Sequence, residues 1–255
     1  MSAPEITLYT ASAPNGIKIS MALEYLELPY TVRTISLATM EQKQPWFLEI
    51  NPNGRIPAIT DKAGGKTINL MESGAIFLYL VEKYDPEYKL SYPIGTKEYY
   101  EVLEWLFWQV GGQGPMQGQT LHFLRYAATD NKDTIEYGFS RYYNETRRLY
   151  GVLNKRLVEQ KAKGSNYLVG DHVTVADLAC VSWAMFDTYT TLDMTEFPAV
   201  AEWELLLAAD PKIKKGMDTP SELKIKEIAA DPEAVKALAS GPKEWIKKQL
   251  EEQSK

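Results

Sequence analysis

Three short clusters in this 255-residue chain carry residue types suited to holding a small polar ligand. Pro14-Asn15-Gly16 stands between a strand-like run and a helical pattern. There the unpaired N–H groups of a first helical turn and the helix dipole favour a negative charge, and Asn15 adds a side-chain amide donor. A plain N-cap role for Asn15 accounts for the same pattern. In Asn51-Pro52-Asn53-Gly54-Arg55-Ile56-Pro57-Ala58, Pro57 sits at the head of a strand, removes one ladder donor and leaves main chain open to an extended peptide. Sequence statistics favour a trans bond before Pro57 and a plain structural turn, since cis bonds are the minority form even at proline. Glu72-Ser73-Gly74 opens a later helix and reads either as a cap or as a pocket for an amino group and a carboxylate together.

Other chemistries find less support. Cys180 is the single cysteine, so neither an internal disulfide framework nor a Cys-x-x-Cys pair exists, and any redox chemistry must borrow its sulfur. His122 and His172 have no partner at metal-binding spacing, and no metal is expected. Gly111 to Gly118 is glycine-rich but lacks the Gly-Lys-Ser/Thr ending of a phosphate loop. The net charge of −6 disfavours nucleic acid and anionic membranes as partners. The longest apolar stretch, Ala176 to Phe186, falls far short of the roughly 20 residues that span a bilayer. With no basic n-region or apolar h-region at its start, the chain is expected in the cytosol.

The elements that must position these clusters follow from periodicity. Ile6, Leu8 and Tyr9 form a strand, and Ile19, Ala22, Leu23 and Leu26 give a helix with a buried face, leaving Lys18, Ser20, Glu24 and Glu27 on the opposite side. Tyr30 to Ile35 is a second strand, parallel to the first because a helix connects them. A short polar helix is expected from Glu41 to Ile50. A hairpin follows across Gly64-Gly65, and then a helix through Leu80 that ends at Asp85-Pro86. Beyond Thr96 the patterns are all helical: Tyr99 to Val110, broken or kinked by Gly111 to Pro115; Tyr137 to Gln160 with Arg147, Arg148, Lys155 and Arg156 outside; an apolar helix capped by Thr174 and Asp177; and Pro198 to Asp210. The tail reads as one or two short surface helices, with Gly241-Pro242 as a stop.

Together, Pro14-Asn15-Gly16, Asn51 to Ala58, Glu72-Ser73-Gly74-Ala75-Ile76 and the run Trp105 to Met116 resemble the glutathione S-transferase family. Within it they are similar to the subclass of bacterial glutathione-dependent disulfide-bond reductases and the fungal nitrogen-catabolite repression regulator. The resemblance implies a thioredoxin-like α/β domain over residues 1–88 and an all-α domain over 96–219; the tail lies outside it, and its own pattern gives a helical extension over 220–255. It implies glutathione as co-substrate, a hydrophobic electrophile or a disulfide as second substrate, and a homodimer. Asn15 would donate to the glutathione sulfur. Ile56, before a cis Pro57, would pair its main chain with the cysteinyl unit, with Arg55 beside it. Glu72 and Ser73 would hold the γ-glutamyl end, Gln42 the glycyl end, and Arg141 would reach in from the helical domain. Ala13 departs from the pattern, because a threonine normally stands beside the asparagine. One donor to sulfur is therefore missing unless Ser12 replaces it.

The chemistry implied is thiol activation. A free thiol titrates near 8.5, so at pH 7 only a few per cent is thiolate. A charge-assisted hydrogen bond worth roughly 1.5–3 kcal/mol, with a helix end worth up to ~2 kcal/mol, lowers that value by one to two units. The thiolate then attacks an electrophilic carbon, or a disulfide through a mixed disulfide that a second glutathione resolves. The rival expectation is a regulatory or scaffold protein of the same fold that binds glutathione without turnover.

Overall fold

The computed structural model describes residues 3–127 and 131–253. Strand β1 (Ile6–Thr10) leads through helix α1 (Pro14–Tyr25) to β2 (Tyr30–Thr34), which pairs parallel to β1 with Leu8 opposite Val32. A 3-10 turn (Glu41–Lys43) and the short helix α2 (Pro45–Leu48) replace the single helix expected over this stretch, because Pro45 starts a new first turn. Strand β3 (Ala58–Asp61) runs antiparallel to β1, and β4 (Ile68–Met71) antiparallel to β3, giving the order β2-β1-β3-β4. Helix α3 (Ser73–Tyr84) completes the α/β unit. β1 and β3 are central and carry the buried positions, whereas β2 is an edge strand and mostly exposed.

The expected polar side of α1 is a correction: Lys18 and Ser20 are 1% and 0% exposed. The helical domain covers that side. The Ser20 hydroxyl donates to the Gly216 carbonyl at 2.7 Å. A Cβ on Gly216 would lie 2.3 Å from the Met21 Cα, so two backbones touch where sequence alone shows a solvent face.

The second unit is helical throughout. Helix α4 (Lys97–Trp108) is capped by the Thr96 hydroxyl, which accepts the Tyr99 N–H. The glycines that follow do not break it: residues Gln109–Gln113 form a wide π turn in which the Gly114 N–H returns to the Gln109 carbonyl. Pro115 then falls in the first turn of α5 (Gly114–Leu121), where its missing N–H costs nothing. A second π turn (His122–Tyr126) precedes the long helix α6 (Lys132–Ala162), whose Leu149, Leu153 and Leu157 are buried as their spacing requires. Arg156 departs from its expected outer position. It is largely covered, donating to the Leu168 carbonyl at 2.7 Å and to Glu101 at 2.6 Å.

Helix α7 (Val175–Ala184) is buried at every position and starts with the expected capping box between Thr174 and Asp177. Asp177 is buried and also accepts from the Leu168 N–H and the Trp203 indole. The short α8 (Asp187–Thr190), then α9 (Pro198–Ala209) and α10 (Pro211–Met217), close the domain around it. The tail forms α11 (Ile225–Ala230) and α12 (Pro232–Gln253). Here Gly241-Pro242 is not a stop, because Pro242 lies inside α12. An interior proline costs a helix ~3 kcal/mol. Packing offsets that cost: α12 lies against residues 122–126 with Val235 and Ala239 buried, and Gly241 sits beside Ala38.

Candidate active site

A polar cavity of about 390 Å³ opens where the loop before β3 and the start of α3 meet the start of α1. Six of the residues singled out in the sequence line it: Asn15, Arg55, Ile56, Pro57, Glu72 and Ser73. Asn51 and Asn53 complete the wall.

Asn15 is not the cap of α1. The helix begins at Pro14, Ala13 holds the N-cap position, and Asn15 is the second helical residue. The Gly16 and Ile17 N–H groups both return to the Ala13 carbonyl, at 2.8 and 3.1 Å. Among the described residues the Asn15 N–H has no such acceptor, so it is the open main-chain donor of this turn. The side chain is fixed by Trp183 on α7, whose indole N–H donates to Asn15 Oδ1 at 2.9 Å. Because an indole only donates, the carboxamide oxygen must face it, and the Asn15 Nδ2 donors face away.

The loop from Asn51 to Ala58 is held by Asn51, which is buried. Its Nδ2 donates to the Arg55 carbonyl at 2.6 Å and its Oδ1 accepts the Asn53 N–H at 2.9 Å. Gly54 has φ +62°, and a Cβ there would lie 2.9 Å from the Gln42 carbonyl, so the turn needs glycine on both counts. The Ile56–Pro57 bond is cis. Asn51 was not among the expected contacts, although its Asx-type spacing to Asn53 marks it as the residue that shapes this wall.

Glu72 caps nothing. It has φ 67° and ψ 114°, and its side chain makes no cap bond. A left-handed glutamate costs of the order of 1–3 kcal/mol, and here that geometry leaves its carboxylate at the cavity wall. Ser73 follows as the first residue of α3 and is buried.

Two expected residues stand apart from the cavity wall. Gln42, in the 3-10 turn, is 9% exposed; its Nε2 donates to the Met40 sulfur at 3.6 Å, and among the described residues its Oε1 has no partner. Arg141 lies exposed on α6. The Ser12 hydroxyl, the alternative to the donor missing at Ala13, lies against Ser221 of the tail, Oγ to Oγ at 2.9 Å.

Behind the cavity lies a buried polar layer that no short sequence motif marks out. Lys18 donates to the Ser73 hydroxyl at 3.2 Å and to Gln109 Oε1 at 2.6 Å. Gln113 Nε2 donates to the Cys180 carbonyl at 3.2 Å, and Gln117 Nε2 to the Trp183 carbonyl at 3.0 Å. All three glutamines are fully buried. Their four-residue spacing along one helical face was the available signal. Burial pushes the Lys18 ammonium down to about 7, opposed by attraction from Cys180 and Glu72. Burial likewise pushes the Cys180 thiol well above its usual range, which suits a packed side chain and not a nucleophile. Burial lowers His122 as well. Among the described residues no group of histidine, cysteine and carboxylate side chains could hold a metal ion, and no helix is long and apolar enough to cross a membrane.

An α/β unit of this topology, a helical domain packed on it and a polar cavity at the first helix together define a glutathione transferase fold. The glutathione S-transferase N-terminal domain family matches residues 4–82 and the C-terminal domain family residues 122–217, and the chain belongs to the glutathione S-transferase family. It is 44% identical over 209 residues to the disulfide-bond oxidoreductase YfcG of Escherichia coli, covering 81% of this chain and 91% of that protein. A glutathione transferase homolog from Lodderomyces elongisporus, crystallised with two glutathione molecules per subunit, superimposes with a TM-score of 0.78 at 44% identity, over 85% of this chain and 99% of that one. The glutathione transferase URE2P8 of Phanerochaete chrysosporium, solved with oxidized glutathione, gives 0.76 at 33% identity, over 89% and 97%.

Proposed function

We propose that this protein is a glutathione-dependent disulfide reductase with accompanying transferase activity, acting through a glutathione thiolate stabilised by Asn15. The observation that carries this reading is the Asn15 carboxamide, locked by Trp183 with its N–H donors free, in a cavity that also holds Glu72, Ser73 and the open main chain at Ile56. Glu72 receives the ammonium and Ser73 the carboxylate of the γ-glutamyl end, while the Ile56 main chain pairs with the cysteinyl unit. Arg55 and Gln42 serve the glycyl side, and Arg141 approaches from α6. The working form is a cytosolic homodimer.

In the reductase cycle the first thiolate attacks one sulfur of the substrate disulfide, forming a glutathione mixed disulfide and expelling one substrate thiolate. A second glutathione thiolate attacks the glutathione sulfur of that intermediate, releasing glutathione disulfide and the other substrate thiolate. Two electrons come from two glutathione molecules, and no protein cysteine takes part. Similarity to the oxidoreductase YfcG at 44% identity supports reduction as the main activity.

Comparison of disulfide reduction with aryl halide conjugation, in wild type and Asn15→Ala, tests the proposal. Reduction above the uncatalysed rate that falls in the variant is expected. Neither reaction exceeding that rate overturns it. That outcome would favour the second reading, a glutathione-binding protein without turnover, to which one observation points: position 13 is alanine and the Ser12 hydroxyl is shared with Ser221, which leaves fewer dedicated donors for the sulfur.

A further inference from the structure

Lys18 lies one helical turn beyond Asn15 and is 1% exposed. Its hydrogen-bond partners, Ser73 Oγ and Gln109 Oε1, are both neutral. Among the described residues no carboxylate lies within ion-pair distance of it. Glu72 at the start of α3 and Cys180 on α7 are the titratable groups that face it, and both act on it only from further away. A buried ammonium without a counterion is costly, and the group loses its proton to escape that cost. Ser73 meanwhile accepts from Lys18 and also lines the cavity. A hydroxyl that accepts from an ammonium on one side must give its own proton elsewhere, and the open direction is the cavity.

We propose that Lys18 is a positioning residue for glutathione, the buried cation that answers the ligand's γ-glutamyl carboxylate through Ser73. This rests on the reading of the cavity as a glutathione site. In the free protein Lys18 shares its proton with solvent near neutral pH. Arrival of the carboxylate supplies the missing negative charge and restores the ammonium, so binding takes up a proton from solvent. The charged form cannot accept the Ser73 proton, whereas the neutral amine can. Charging Lys18 therefore turns the hydroxyl towards the ligand.

Calorimetry of the full chain with S-methylglutathione, which has no ionisable thiol, tests this at pH 7 in two buffers of different ionisation enthalpy. Uptake of about half a proton is expected, with affinity falling about eightfold between pH 6.5 and 8. Lys18→Met should remove most of the uptake and weaken binding about tenfold. It should raise the glutathione KM while leaving kcat at saturation close to wild type. Adding Ser73→Ala to Lys18→Met should cost much less than Ser73→Ala alone, because the two act as one unit. Equal binding enthalpies in the two buffers for the wild type overturn the inference, and that measurement needs no variant to fold. Failure of the wild type to bind S-methylglutathione at all overturns instead the reading of the cavity on which the inference rests.

Discussion

The indole nitrogen of Trp183 and the carboxamide oxygen of Asn15 lie 2.9 Å apart and join two residues separated by 168 positions in the chain. One belongs to the central helix of the helical domain, the other to the first turn of α1. The bond decides which end of the carboxamide faces the ligand. Trp183→Phe keeps an aromatic ring and removes the donor, so the carboxamide is free to rotate. The bound glutathione thiol should then titrate about half a unit to one unit higher than in wild type, a smaller change than deleting the amide altogether. Ultraviolet titration of the thiolate in the complex measures this, and an unchanged titration would show that Asn15 is held by something else.

Asn15 itself separates hydrogen bonding from electrostatics. Asn15→Ala removes a charge-assisted donor worth roughly 1.5–3 kcal/mol, so kcat/KM for disulfide reduction should fall about 10- to 100-fold. Asn15→Asp keeps the size but sets a carboxylate against the thiolate, which raises the thiol pKa. It should be slower than Asn15→Ala at pH 7 and recover part of the difference at pH 9. The reverse order, with the aspartate faster, would remove the thiolate from the mechanism.

Local patterns account for what the sequence disclosed of this site. Asn15, Ile56-Pro57 and Glu72-Ser73 each sit in a short motif at the start of an element, and the fold brings all three motifs to one cavity. The amphipathic periodicity of α1 puts Lys18 on a solvent face. Its partners Ser73 and Gln109 are 55 and 91 residues away, on elements whose docking no local pattern reveals. Ser20 was misplaced for the same reason, since it meets Gly216 at a separation of 196 residues. Pro242 shows the converse. A strong local stop signal yields where the part of α12 ahead of the proline is packed through Val235 and Ala239.

Asp61 on β3 controls the acid stability of the α/β domain. It is 1% exposed and accepts from Tyr79, Tyr84, Lys83 and the Ala63 N–H. Burial alone would raise its pKa, but these donors outweigh burial and hold it far below the usual carboxylate range. The folded value lies below the unfolded one, near 3.9, so the stabilisation is complete above about pH 5 and is lost as pH falls towards the folded value. Asp61→Ala should cost ~3 kcal/mol at pH 7, because it leaves the Lys83 charge and two tyrosine hydroxyls without their acceptor. The variant's stability should also vary less between pH 5 and pH 2.5. Urea unfolding across that range checks both, and parallel wild-type and variant curves would contradict the assignment.

The contact between α1 and α10 is where the two domains meet backbone to backbone. A methyl group at position 216 would stand 2.3 Å from the Met21 Cα and 2.8 Å from the Ser20 carbonyl carbon, and these are backbone atoms that cannot swing aside. The helices must separate, and the 2.7 Å bond from Ser20 to the Gly216 carbonyl must stretch with them. Gly216→Ala should therefore lower stability by ~1–3 kcal/mol, even though alanine is the better helix former, and Tm should fall by about 3–10 °C. Because α1 also carries Asn15 and Lys18, the glutathione KM should rise in the same variant. Ser20→Ala removes the hydrogen bond without forcing the helices apart, and should cost ~1 kcal/mol and leave KM unchanged. A Gly216→Ala protein as stable as wild type would mean that α10 does not rest on α1 in this way.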